Sequence, residues 1–169
     1  MKKQGFTLIE LMVVIVIMGI LAAVAVPKLF GMIAKSKASE VGPAAGTFVK
    51  LQEAYAAENN NIGTWAQIGY KGPGSQNANG SGSVTSNFTY TDATTGSTGG
   101  WTATNEVAMN DCQKGADWKI TTTYASANGT IETKAGNGST NGKNKAACIT
   151  PLTPNFCKLA TKGECEASL

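Results

Sequence analysis

Four cysteines are the first candidates for chemistry in this chain. Cys112, Cys148, Cys157 and Cys165 lie in its second half, no pair has the Cys-x-x-Cys spacing, and the chain has no histidine. Zinc sites and thioredoxin-like redox sites usually have a Cys-x-x-Cys pair or histidine ligands, so neither kind of site is predicted. The even number predicts two disulfide bonds, with free structural thiols as the alternative. Four cysteines allow three connectivities, of which Cys112–Cys148 with Cys157–Cys165 costs the least loop entropy.

The second candidate is a carboxylate inside an apolar run. Residues 6–26 are apolar except for Thr7 and Glu10. As a helix this run is about 32 Å long, close to the thickness of a bilayer core. Lys2 and Lys3 precede it, which predicts that the N-terminus stays cytoplasmic while the rest of the chain crosses. A carboxylate in a membrane helix is costly, so Glu10 indicates a functional contact.

Two plainer interpretations of the apolar run compete with this one. A cleaved secretory signal has a shorter apolar core and a small-x-small site, for which Ala23 and Ala25 offer a weak match. A simple transmembrane anchor fits the length and the flanking lysines equally well. Neither interpretation accounts for Glu10.

The residues around Glu10 resemble a known family. The stretch from Gly5 to Val14, Gly-Phe-Thr-Leu-Ile-Glu-Leu-Met-Val-Val, resembles the N-terminus of type IV pilins and pseudopilins nearly residue for residue, and the likeness continues to Pro27. The resemblance implies that prepilin peptidase cleaves after Gly5 and that the new N-terminal Phe6 is N-methylated. The short leader is similar to that of type IVa pilins or of pseudopilins.

The resemblance also implies roles for four residues in assembly. The freed amine of Phe6 is a cation about one helical turn from Glu10, and in lipid the two charges cost less paired than alone. Pairing between neighbouring copies would favour assembly and set the axial register. Pro27 removes a backbone donor and Gly19 weakens the helix, and the family implies that the segment between them unwinds in the filament.

A long helix must position these groups. Apolar residues recur at spacings of three and four after Pro27, which predicts an amphipathic helix that runs to about Glu58. Three asparagines at 59–61 and then Gly63 end it. Gly42 and Pro43 form a second weak point, which predicts a bend where the helix enters the following domain. The predicted stripe contains Phe30, Ile33, Val41, Ala44, Phe48, Leu51 and Tyr55.

The chain becomes rich in Gly, Asn, Ser and Thr from Gly63 onward, a composition typical of strands and turns. Residues 118–124 alternate between two faces, with Trp118, Ile120, Thr122 and Tyr124 on one of them. Asn128-Gly129 separates this run from residues 130–134, which predicts a β-hairpin with a tight turn.

Shorter patterns predict the rest of the head. Residues 84–90 and 101–103 carry aromatic and β-branched side chains that indicate two earlier strands. Residues 72–83 and 92–100 are low in complexity and are predicted to be exposed loops. An antiparallel sheet laid on the helix stripe would bury both apolar faces.

The predicted fold is therefore α+β, a long N-terminal helix packed against a C-terminal antiparallel β-sheet head, as the family also implies. Residues 1–5 are the predicted leader, residues 6–58 the helix and residues 59–169 the head. Within the helix, residues 6–27 are expected to form the membrane and filament core.

Charge and residue types narrow the function further. Fourteen lysines, no arginine and 11 acidic residues give a net charge of +3, and removal of Lys2 and Lys3 leaves 12 − 11 = +1. Nucleic-acid binding is not indicated. Without histidine there is no Ser-His or Cys-His nucleophile pair, so no enzyme activity is predicted. Asp111 and Asp117 match no calcium loop, and neither a metal nor a cofactor is predicted.

The family implies a self-assembling structural subunit with no catalytic residues. It would cross the inner membrane once, be processed by prepilin peptidase, and be built by pilus assembly machinery into a homopolymeric extracellular filament for adhesion or motility. A type IVa-like major pilin is the favoured interpretation. A major pseudopilin of a type II secretion system and a membrane-tethered binding domain that never polymerises are the alternatives.

Overall fold

The structure is a computed structural model that describes residues 5–136, 148–163 and 165–166. Two helices, α1 (Leu8–Ala38) and α2 (Val41–Asn59), precede a sheet and a short C-terminal segment. The predicted α+β arrangement is confirmed. The strands are β1 (Ser75–Gln76), β2 (Gly82–Val84), β3 (Phe88–Asp92), β4 (Thr98–Asn105), β5 (Asp117–Ala125), β6 (Thr130–Gly136) and β7 (Cys165–Glu166), with α3 (Ile149–Leu152) and a 3₁₀ turn (Phe156–Leu159) before β7.

The sheet is a meander whose strands lie side by side in chain order. Strands β1 to β6 pair antiparallel, and β7 joins the β6 edge in parallel. The predicted hairpin is confirmed as β5–β6, with Tyr124 opposite Ile131. Gly129 in its turn has a φ of 67°, a conformation that glycine adopts without a steric penalty.

The prediction that residues 72–83 and 92–100 are loops is wrong in part, because β1, the start of β2 and the start of β4 fall inside them. Gly99 and Gly100 lie within β4, although paired glycines are typical of a loop. A Cβ at Gly100 would overlap the carbonyl oxygen of Ala93, and one at Gly99 would overlap the Thr122 side chain. Glycine in a strand therefore marks a close approach of neighbours here.

Helix α2 packs its apolar stripe against the inner face of the sheet. Phe48 is fully buried and meets the Tyr70 ring edge-on, with 5.7 Å between ring centroids. The predicted stripe is confirmed from Val41 onward. Phe30 and Ile33 remain 60% and 43% exposed, because they lie on α1 before the helix reaches the head.

Three buried tryptophans organise the core of the head, and each indole N–H has an acceptor. Trp65 donates to the carbonyl of Gly100 at 3.2 Å, and Trp101 donates to the hydroxyl of Tyr70 at 2.9 Å. Trp118 donates to the hydroxyl of Thr153 at 2.8 Å. Large rings thus fill the core without leaving their polar atoms unpaired.

Candidate assembly site

Most of α1 projects from the head without covering. Its large apolar side chains before Ala34 are between 41% (Val14) and 75% (Leu8) exposed, and only Ala34 and Ala38 are buried. Within residues 5–136, 148–163 and 165–166, α1 and α2 form the one helical run that is long and apolar enough to cross a membrane. So large an apolar surface requires lipid or another protein to cover it.

Glu10 forms a capping box with Thr7 at the start of α1. The Glu10 carboxylate accepts hydrogen bonds from the Thr7 backbone N–H at 2.8 Å and from its hydroxyl at 2.7 Å. The Glu10 backbone N–H donates to the Thr7 hydroxyl at 3.3 Å. This reciprocal pattern satisfies donors that the first helical turn leaves unpaired. In the single chain, then, the carboxylate is held by its own helix terminus.

The predicted cleavage point lies just outside α1. Gly5 and Phe6 are exposed, non-helical residues, and Phe6 is 78% exposed. A Cβ built on Gly5 would meet no atom of the described residues within 4 Å, so packing against those residues does not require glycine there. This accessible, non-helical backbone suits the approach of a protease.

Gly19 and Pro27 both lie within the unbroken α1 helix of this single chain. Apart from the backbone of its own helix, a Cβ at Gly19 would meet no atom of the described residues within 4 Å. Pro27 cannot donate to the carbonyl of Ala23, four residues earlier, so the backbone there has one hydrogen bond fewer. The unwinding implied for the filament stays a prediction, localised to a stretch that the single chain keeps helical.

The helix is interrupted where it enters the head. The sequence predicts a bend at Gly42 and Pro43, but the break lies just before them. Ser39 and Glu40 fall between α1 and α2, while Gly42 and Pro43 lie inside α2. Pro43 has no N–H for the carbonyl of Ser39, which explains the position of the break. The Thr85 hydroxyl donates to the Glu40 carboxylate at 2.7 Å, so the head holds this junction from the side.

Two disulfide bonds secure the C-terminal segment. Cys112 bonds to Cys148 and Cys157 bonds to Cys165, the connectivity that loop entropy favours. Cys112 and Cys148 are buried in the core. Their bond ties the connection between β4 and β5 to α3, and α3 contacts the end of α1. The second bond ties β7 to the 3₁₀ turn.

Burial raises the pKa values of two tyrosines near the junction between α1 and α2. Burial raises the pKa of Tyr70 to about 12, although the hydrogen bond from Trp101 opposes the shift. Burial, and then the negative charge of Glu40, raise the pKa of Tyr90. The Tyr90 hydroxyl has no hydrogen-bond partner within the part of the chain that the structure describes. Both hydroxyls therefore stay protonated at neutral pH, and that of Tyr70 donates to the carbonyl of Ala44 on α2 at 3.1 Å.

One carboxylate on the surface of the head, that of Glu106, has a lowered pKa. The Thr89 hydroxyl, then Lys114, lower the pKa of Glu106. The Thr89 hydroxyl donates to this carboxylate at 2.7 Å, and the Lys114 ammonium lies 3.0 Å from it. This exposed pair fastens the connection between β4 and β5 to β3.

Sequence reasoning missed two residues at the assembly site. Thr7 could have been found from the Thr-x-x-Glu spacing, which is a helix-start signal. Glu40 gives no local signal, because its partner Thr85 lies 45 residues away in the chain.

Comparison with known proteins identifies the N-terminal segment. Residues 1–26 match the model of the prokaryotic N-terminal methylation motif. The chain is 39% identical over 70 residues to the type IV major pilin protein PilA of Myxococcus xanthus, which covers 41% of this chain and 32% of that protein. It is 56% identical over 39 residues to a type IV major fimbrial protein FimA of Dichelobacter nodosus, covering 23% of this chain and 25% of the relative.

These matches span about a third or less of the relatives' own length. No solved structure matches the chain at comparable significance. The methylation motif covers residues 1–26, and in the fold the exposed helix α1 precedes the helix α2, which packs on an antiparallel sheet. Residues 1–26 therefore carry the methylation motif, and part of the chain is similar to type IV major pilin and fimbrial proteins.

Proposed function

We propose that this chain is the structural subunit of an extracellular type IV pilus filament, as a type IVa-like major pilin. The observation that carries the proposal is the uncovered apolar surface of α1, which follows a methylation motif. A helix of this kind requires lipid first and identical helices afterwards. The relatives are named as major pilins and fimbrial proteins, which favours a surface filament over a secretion pseudopilus.

Processing divides the chain into parts with different surroundings. Prepilin peptidase removes residues 1–5, and the new terminus at Phe6 is methylated. Residues 6–27 cross the inner membrane until assembly machinery transfers the subunit to the filament, where the same residues form the core. Residues 28–58 join that core to the head, residues 59–169, which faces the outside. The head is structural and not catalytic, and the filament serves adhesion or motility.

Glu10 changes partners during assembly. In the single chain Thr7 holds its carboxylate, which lowers the cost of carrying a charge in lipid. After cleavage, the Phe6 amine of a neighbouring copy offers a full positive charge, which binds a carboxylate more strongly than neutral donors do. Assembly is favoured because both charges lose their costly isolation in a low-dielectric core.

The stretch from Gly19 to Pro27 loosens as the filament forms. The helix there already lacks the bond that Pro27 cannot make. Tight packing of many copies around one axis requires some backbone adjustment, and this stretch gives way at the lowest cost. Extended backbone there would also allow the filament to lengthen under load.

Replacement of Glu10 tests the proposal. Cells that express Glu10→Ala should contain inserted and processed subunit, yet release at least tenfold fewer filaments when counted by immunoelectron microscopy with an antibody to the head. Glu132→Ala, on the outer face of the sheet, is the matched control and should assemble normally. A normal filament count for Glu10→Ala would overturn the pairing, and a wild-type strain without labelled filaments would overturn the function.

A further inference from the structure

We infer, on the basis of the filament function proposed above, that one face of α1 below the head docks into a groove on a second copy of this chain. The face consists of Lys28, Met32 and Lys35. The groove lies between α2 and the β5–β6 turn, near Glu53 and Ala57.

The face on α1 is exposed and continuous. Lys28, Met32 and Lys35 follow one another at spacings of four and three, which places them on one side of a helix. Met32 is 64% exposed, and both lysines are exposed. Lys28 lies about 33 Å along the helix from Phe6, beyond the thickness of a bilayer core. Lipid therefore does not cover this face.

The face is also unpaired within its own chain. Ala34 and Ala38 turn towards the head and are buried, while Met32 and its flanking lysines turn elsewhere. Neither Lys28 nor Lys35 makes an ion pair with any residue that the structure describes. An apolar side chain between two free cations requires a partner that offers both apolar surface and negative charge.

The groove on the head offers both. It has a volume of about 270 Å³, and its small residues allow another helix to come close. Ile131 provides apolar surface and Glu53, an exposed residue on α2, provides the negative charge. Glu53 has no ion-pair partner within the described residues. The groove is lined by Glu53, Ala56, Ala57, Gly129, Thr130 and Ile131.

The two surfaces match in register when the helices of the two copies lie parallel. Lys28 and Met32 are four residues apart, as are Glu53 and Ala57. A shift of 53 − 28 = 25 residues, about 38 Å along a helix, brings Lys28 beside Glu53 and Met32 beside Ala57. The same shift carries Lys35 to the end of α2, where Glu58 lies.

The pairing is heterologous, because the face and the groove are different surfaces of one chain. Each copy that docks its α1 face leaves its own groove free for the next copy. Contacts of this kind build open helical polymers when the rotation between copies does not close a ring. The inferred contact would therefore connect subunits that are staggered by about 38 Å along the filament.

Reciprocal charge reversal tests the contact. Lys28→Glu alone and Glu53→Lys alone each place like charges together and are expected to lower the filament yield about tenfold, since such juxtaposition is strongly unfavourable. The double variant restores opposite charges in the same place and is expected to recover most of the yield. Lys162→Glu, exposed on the C-terminal segment, is the charge-matched control. Yield is measured as sheared filament relative to processed subunit in the cell.

A covalent probe keeps the test informative if a charge variant is degraded. Met32→Cys and Ala57→Cys are expressed as two separate variants in one cell. Treatment of the filaments with a mild oxidant such as copper phenanthroline, which takes up the two electrons, should give a disulfide-linked dimer on a non-reducing gel. Met32→Cys with Thr123→Cys, on the opposite side of the sheet, should not. Single reversals that assemble normally, or a double variant that stays deficient while the cysteine pair fails to link, would overturn the contact even though wild-type filaments form. Absence of wild-type filaments would instead overturn the proposed function.

Discussion

The bond between Cys112 and Cys148 should stabilise the head more than the bond between Cys157 and Cys165. The two bonds close segments with sequence separations of 36 and 8 residues. Chain-entropy arithmetic at 25 °C gives about 3.8 kcal/mol for the first and about 2.5 kcal/mol for the second. The double variant Cys112→Ala/Cys148→Ala is therefore expected to unfold about 1.3 kcal/mol more easily than Cys157→Ala/Cys165→Ala.

Intrinsic fluorescence can follow this unfolding, because all three tryptophans lie buried in the head. The free energy of unfolding is measured with guanidinium on the processed chain in detergent. The first bond also anchors α3, which contacts the end of α1. Amide exchange at residues 34–38 should therefore rise in Cys112→Ala/Cys148→Ala and stay unchanged in the other variant. Equal losses of stability, or a loss below about 1 kcal/mol for the first pair, would refute the reasoning.

Two further predictions concern buried polar groups. The fully buried Gln52 side chain donates to the Gly63 carbonyl at 2.6 Å and accepts from the Gly63 N–H at 3.1 Å. Gln52→Met leaves both groups of Gly63 unpaired and should therefore lower the free energy of unfolding by about 2–3 kcal/mol in the same assay. A loss below about 0.5 kcal/mol would count against this prediction. Burial raises the pKa of Tyr70 to about 12. The stability that the neutral Tyr70 hydroxyl contributes should therefore be complete below about pH 10, the usual pKa of an unfolded tyrosine, and should be lost as the pH rises through about 12. Tyr70→Phe should weaken this alkaline loss of stability, and an unchanged alkaline unfolding curve would contradict the prediction.

The sequence predicts the parts of the fold that depend on local periodicity. The helical spacing of Val41, Ala44 and Phe48 indicates the buried face of α2, and the alternation of residues 118–124 with Asn128-Gly129 indicates the β5–β6 hairpin. The motif from Gly5 to Val14 was recognisable because it is a continuous stretch of the chain.

What escaped prediction depends on contacts between distant segments. Gly99 and Gly100 look like loop residues until neighbouring strands show why no side chain fits there. Glu40 stabilises the helix junction through a hydrogen bond from Thr85, which lies 45 residues away in the chain. The break falls at Ser39 and Glu40, ahead of the predicted Gly42 and Pro43, because Pro43 acts on a carbonyl four residues before it.

The N-terminus of the subunit in sheared surface filaments is the most direct test of the account. Mass spectrometry of purified filaments should find a chain that begins with N-methylated Phe6 and retains the whole apolar segment of α1. A chain that begins after Ala25, or one that keeps its leader and is found only in the membrane fraction, would contradict the claim that a single helix serves first as an anchor and then as the filament core.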